Sequence, residues 1–268
     1  MTYRKHNILA LVLVASTFAP AQNILQPEGL PLQAISALAE AATPVLPIMP
    51  PEVALQEYGK RSAEQSARLA GYQDETVVTA ELPDSSQRGE YELIRTFNAE
   101  PRSLRFSSVK FTGDGFVKSN VITRVLQSEV DHVQKGDPKQ TALSEENYKF
   151  YYKGTEDVNG TLTHVFQVKP RKKRPGLIKG KIYLDARTAS LRRIEGSAAK
   201  SPSFFVRKLE FVQDFADVDG FTVPTVLKSV AKARIIGRTL FNIVHRSYQV
   251  RAAAAPAPVQ LSETGSLK

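Results

Sequence analysis

The chain has 268 residues, 36 Lys+Arg against 27 Asp+Glu, and a net charge of +9. It is 42% hydrophobic and 24% charged, ordinary globular usage that excludes a wholly disordered or collagenous protein. The absence of Cys removes disulfides, thiolate catalysis, zinc fingers, iron–sulfur clusters and a lipid-modified N-terminus.

Residues 1–21 read as a signal peptide. Arg4, Lys5 and His6 form a basic start, Ile8–Phe18 an apolar run, and Ala19-Pro20-Ala21 a small-residue cleavage region. The run is about half the roughly 20 residues needed to span a bilayer; the competing reading is an uncleaved anchor. Export by a cleaved signal peptide predicts a periplasmic or secreted bacterial protein. Residues 22–51 are rich in Pro and Ala and read as a linker. The folded domain is expected over 52–251, and 252–268 as a disordered tail.

Pro51 suits a first helical turn. Leu55, Tyr58, Ser62, Gln65, Leu69 and Tyr72 then recur at helical spacing, with Gly71 as a plausible stop. Strands are predicted over 76–82, 90–97 and 102–111. A second helix follows, with Val117, Val121, Ile122, Val125, Leu126, Val130 and Val133 on one side, Asp114 as cap, and Gly136 and Pro138 at its end. Seven strands come after it, over 147–153, 161–169, 177–185, 190–195, 204–215, 221–231 and 235–250. Their short hairpin-like links mean an antiparallel meander. Ile178, Gly180, Ile182 and Leu184 alternate with Lys179, Lys181, Tyr183 and Asp185, so one face is apolar and the other wet. The fold class is therefore α+β: a strongly curved antiparallel sheet closed over helices.

Two runs carry a resemblance. Gly180 to Gly196 (GKIYLDARTASLRRIEG) is a strand ending in Asp, a turn, and a returning strand ending near Gly. Phe211 to Pro224 (FVQDFADVDGFTVP) is a strand, aspartate–aromatic, turn, Gly, strand, Pro hairpin. Both resemble patterns of the LolA/LolB-like superfamily of lipoprotein-carrier folds, over roughly 55–250. The resemblance implies a half-open β-barrel with two or more helices across its mouth, a hydrophobic cavity, and acyl chains of lipids or lipoproteins as ligand.

Residues 169–211 hold 13 Lys/Arg and three acids, a local charge of +10. Lys169, Arg171, Lys172, Lys173 and Arg174 form a candidate contact for an anionic membrane surface. The bland reading is a solvated face that keeps the protein soluble. Nucleic acid is an unsuitable target for an exported chain. Asp214, Asp217, Asp219 and Gly220 hint at a calcium loop, but the spacing is wrong and Asp-Gly reads first as a hairpin turn. Asn159-Gly160-Thr161 fits a glycosylation sequon and equally a turn. His132, His164 and His245 are dispersed, no G-x-S-x-G elbow or phosphate loop occurs, and no cofactor, metal or catalytic residue is predicted. The aromatic run Tyr148, Phe150, Tyr151 and Tyr152 reads as core packing or as the wall of a ligand pocket.

The expected function is a non-enzymatic, monomeric carrier for an apolar or amphipathic ligand. Candidate cavity residues are Phe150, Phe166, Ile182, Leu184, Leu209, Phe211 and Phe215 on the sheet, with Val121, Val125 and Leu126 on the covering helix. The alternative is an envelope interaction module that docks a protein through its basic face and has no lipid cavity.

Overall fold

Helix α1 (Pro51–Arg68) starts with proline at its first position and carries Glu52 in its first turn and Arg68 in its last, each at the end its charge favours. The computed structural model describes residues 46–201 and 206–253. The expected signal peptide, the arm up to residue 45 and the tail from residue 254 lie outside the described residues. Residues 46–50 run against the sheet: Met49 N donates to Ala186 O at 2.8 Å, and the Arg187 guanidinium donates to Leu46 O.

The helix stops at Arg68, before the Gly71 expected to end it. Leu69 and Tyr72 belong instead to β1 (Leu69–Leu82), because Gly71 pairs with Asn98 on one side and Arg251 on the other. A Cβ on Gly71 would lie 2.5 Å from Phe97 O. That glycine permits close strand approach rather than a helix stop.

The other strands are β2 (Gln87–Asn98), β3 (Ser103–Gly113), β4 (Tyr148–Val158), β5 (Thr161–Pro170), β6 (Ile178–Asp185), β7 (Leu191–Ala198), β8 (Val206–Val218), β9 (Phe221–Ala233) and β10 (Gly237–Ala252). They form one ten-stranded antiparallel sheet in the order β3-β2-β1-β10-β9-β8-β7-β6-β5-β4. Every predicted strand is present, most of them longer than the alternation suggested. The β8–β9 link is the expected hairpin, with Asp219 and Gly220 at φ 53° and 83°. Asp217 there pairs with Arg61 and Arg192, and Asp214 with Arg193.

Helical segment 115–135, α2, joins β3 to β4. Asp114 caps it by accepting from Phe116 N at 2.8 Å. One turn (Gly115–Val117) leads through a π-helical turn (Lys118–Ile122) into Thr123–Lys135. The wider turn lets the adjacent residues Val121 and Ile122 both bury.

Ten strands at about 4.8 Å spacing would span over 40 Å if flat. Instead, Ala54 and Tyr58 of α1, Val121 and Leu126 of α2, and Leu82, Phe166, Ile182 and Phe241 from four strands share one buried cluster. The sheet therefore wraps around both helices, while β3 and β4 remain its open edges. At β6–β7 Gly180 faces Gly196, and a Cβ on Gly180 would lie 1.9 Å from Glu195 O, so the two backbones approach more closely than a side chain would allow. On the wet outer face, Val158, Val165 and Tyr183 form a small apolar cluster of their own.

Candidate functional site

The concave face is not filled evenly. Between α1, segment 137–145 and the inner side of β4–β5 lies an open cavity of about 1100 Å³. Leu55 and Tyr58 of α1, Leu143, Phe150, Tyr152 and Phe166 supply its apolar walls. The helix presents only half an apolar stripe here, so Gly59, Ser62, Ala63 and Ser66 leave space where larger side chains would fill it. On β4, Tyr148, Phe150 and Tyr152 share the inner side. Tyr151 points outward under Lys169 Nζ, 5.1 Å from its ring centre.

Hydrogen bonds hold the wall in place. Tyr152 Oη lies 3.3 Å from His164 Nδ1, and His164 Nε2 lies 2.8 Å from Met49 O. A proton on Nε2 satisfies the carbonyl and leaves Nδ1 to accept from the tyrosine. The opposite rim is a built corner. Asn147 Nδ2 donates to Lys139 O and Ala142 O, each at 2.8 Å. Arg174 donates to Gln140 O at 2.6 Å and to Asn147 Oδ1, and Arg171 Nε to Glu145 O at 2.6 Å. Tyr148 Oη accepts from Ile178 N, and burial pushes this phenol up to about 12.

A smaller space of about 290 Å³ adjoins the first. Ser62, Ser66, Pro138 and Ala142 line both. Its other walls include Tyr72, Phe97, Arg102, Glu129 and His132. Beside it lies a buried polar network absent from the sequence expectations. Arg95, 0% exposed, donates from Nε to Asp74 Oδ2 at 2.7 Å and from one NH₂ group to Tyr248 Oη at 2.8 Å. Its other NH₂ group reaches Glu129 Oε1 at 3.5 Å. Its guanidinium lies 5.0 Å from the Tyr72 ring centre, a desolvated cation–π contact. Asp74 Oδ1 accepts from Thr76 Oγ1 at 2.7 Å and from His245 Nδ1 at 3.0 Å, and Tyr248 Oη donates to Pro224 O at 2.6 Å.

These contacts set the protonation states. Burial pushes the Asp74 carboxyl up, but Arg95 and the hydrogen bonds from His245 and Thr76 outweigh it and hold it below the usual carboxylate range. Burial, reinforced by Arg95, pushes His245 down to about 4. Burial raises Glu129 against the pull of Arg95. Burial and then Arg102 lower His132. The network ties α2, β1, β2 and β10 together. Its signal in the sequence was parity: Asp74 and Thr76 sit in step with Tyr72, Val78 and Ala80, and Arg95 with Leu93 and Phe97.

Of the predicted cavity residues, Phe150 and Phe166 line the large space. Ile182, Leu184, Phe215, Val121 and Leu126 are buried in the main core, with Val125 packed against it. Phe211 is in that core and borders a void of about 20 Å³; Leu209 is 5% exposed on β8. Leu55 and Leu143, unassigned from sequence, line the cavity because they lie on its lids rather than on the sheet.

Of the predicted basic contact, Arg171 and Arg174 are engaged by the 139–147 corner, while Lys169, Lys172 and Lys173 are exposed. Three acids outside 169–211 meet part of its charge excess: Glu156 pairs with Lys181, Asp217 with Arg192 and Asp214 with Arg193. No group of three or more His, Asp or Glu residues suited to a metal occurs among the described residues. A shallower trough of about 440 Å³ lies on the outer face over Val212, Val230 and Leu240.

A family model described as a family of unknown function (DUF5686) matches residues 141–249. No curated protein matches the chain. Among solved structures, the chain is similar to a DUF1329 family protein from Desulfovibrio piger ATCC 29098, at 10% identity over 76% of this chain and 94% of that one, with a TM-score of 0.38. It is similar to a LolA superfamily protein from Nitrosomonas europaea at 9% identity over 76% and 94%, TM-score 0.36. A domain described as an outer membrane lipoprotein-sorting protein from Vibrio parahaemolyticus matches at 14% identity over 76% and 95%, TM-score 0.39. These are likenesses across distant sequences; the function of this chain rests on its own cavity and residues.

Proposed function

We propose that this chain is a non-enzymatic carrier of the bacterial envelope that holds a hydrophobic or amphipathic ligand between α1 and the curved sheet. The observation that carries the reading is the open cavity of about 1100 Å³ walled by Leu55, Tyr58, Leu143, Phe150, Tyr152 and Phe166. Its size matches the upper end of small-molecule sites, about 1000 Å³, which are likewise lined mainly by apolar and aromatic groups. Each methylene moved from water into it contributes about 0.8 kcal/mol, so an acyl chain gains more with every carbon the cavity admits. Acyl chains of lipids or lipoproteins are the ligand class. The signal-like residues 1–21 support export to the periplasm, and the protein acts as a monomer.

Lys169, Lys172 and Lys173 at the β5–β6 end, with Lys149 on the neighbouring edge strand, form the surface that meets anionic membranes. Arg171 and Arg174 serve instead to hold the cavity rim. Delivery to anionic vesicles therefore weakens with added salt.

The test is mass spectrometry of organic extracts from native protein, followed by titration with a fluorescent fatty acid. Saturable binding that is lost in Phe150→Asp supports the reading. Phe150 is the suitable position because it lines the cavity while Phe211 belongs to the core. Folded protein that extracts no lipid and binds no probe rejects it. A second reading, docking of a partner protein through the basic face, draws on the Lys169–Tyr151 pairing of the outer surface. Salt-sensitive recovery of one envelope protein, with no bound lipid, would select it.

A further inference from the structure

The two adjoining spaces differ in chemistry. The larger ends in Phe150 and Phe166; the smaller ends in Arg102, Glu129 and His132. Ser62, Ser66, Pro138 and Ala142 line both, and none of them carries a long side chain. Arg102 is the unusual member. It sits in the β2–β3 turn, is half-buried, and makes no ion pair among the described residues. By contrast, Arg95 a few residues away is engaged by Asp74, Glu129 and Tyr248. Burial lowers Arg102 from the ordinary guanidinium range, against the pull of Asp137 and then Tyr72. A partly desolvated cation without a bound anion is costly. Its lining neighbours set the selectivity. Glu129 reaches toward Arg95, and its carboxyl is raised by burial. His132 is lowered by burial and by Arg102, so at neutral pH it is an uncharged group that can add a hydrogen bond.

We propose that the ligand is a single-tailed anionic amphiphile, with its tail in the large cavity under α1 and its head group on Arg102 in the smaller space. The inference rests on the carrier reading and narrows it to a ligand class. α1 residues from Glu52 to Ser66 border the two spaces, a length of about 21 Å at 1.5 Å per residue, so an extended chain can lie along the helix. A carboxylate is a fitting head, since guanidinium binds it through paired hydrogen bonds.

The experiment compares oleate with oleyl alcohol, which share a tail and differ in charge, by competition against a fluorescent fatty acid on the full chain. Wild type is expected to prefer oleate by about ten- to hundred-fold, the range for hydrogen bonds to charged groups. Arg102→Gln is expected to remove that preference while leaving the alcohol bound as before, and Arg102→Lys, which keeps the charge but not the paired hydrogen bonds, to retain part of it. Ala142→Phe, placed at the junction, is expected to remove the preference by keeping the head from Arg102. Circular dichroism and thermal midpoints confirm that each variant is folded. Equal binding of oleate and alcohol by wild type, or a preference that survives Arg102→Gln, overturns the proposal while the carrier reading stands. Binding of neither by folded wild type overturns both.

Discussion

Acidification tests the buried network that fixes α2 to the sheet. His245 is 6% exposed, donates to Asp74, and has its pKa pushed down to about 4 by burial and Arg95. In the unfolded chain it titrates near 6.5. Between these values the unfolded state binds the proton and the folded state does not, so stability falls as pH drops from 6.5 toward 4. At 1.36 kcal/mol per pH unit the window is worth about 3 kcal/mol, a large share of the 5–15 kcal/mol typical of a domain. Asp74 acts in a separate range: its depressed folded pKa contributes stability above the ordinary carboxylate value and loses it below. Urea denaturation of wild type and His245→Asn at steps from pH 7.5 to 4.5 isolates the histidine. The asparagine keeps a donor near the Nδ1 position and does not titrate. The wild-type curve should fall more steeply than the variant's, the two converging by about 2–3 kcal/mol at the acid end. Parallel curves would show that His245 takes up its proton as readily in the folded protein as in the unfolded chain, and the account of the network would fail. His245→Gln provides a second non-titrating comparison should asparagine pack poorly.

Arg95→Met leaves Asp74 buried without its cation, so a loss of about 3–5 kcal/mol is expected in the same denaturation assay; a loss below 1 kcal/mol would mean that water reaches the carboxylate. Gly180→Val forces a Cβ into Glu195 O across the β6–β7 pair, and a cost near or above 3 kcal/mol is expected, with insoluble expression as the extreme outcome. Arg174→Ala removes the bonds to Gln140 and Asn147 that hold the cavity rim. Faster release of a bound fluorescent fatty acid and earlier proteolysis near 139–147 should follow, with a thermal midpoint close to wild type; unchanged release kinetics would show that the rim does not gate the cavity.

What could be read in advance was whatever repeats locally. Helical spacing in 117–133 and alternation in 178–185 gave the elements, and short links between strands gave the antiparallel order, because side-chain direction follows from backbone period alone. The turn at Asp219-Gly220 was legible for the same reason. Residues 69–72 were misjudged because their pattern suits a helix, while pairing with β2 and β10 offers them a ladder on both sides; partners that far along the chain leave no local trace. The network shows the same limit: Asp74 and His245 are 171 positions apart. The sequence determined an apolar sheet face and two helices to cover it. Only the tertiary structure decided how completely they do so, since void space depends on where small residues such as Gly59, Ser62 and Ala142 meet across elements. That meeting leaves Phe150 and Phe166 on a cavity wall and sends Ile182 and Leu184, equally apolar and equally inward, into solid core.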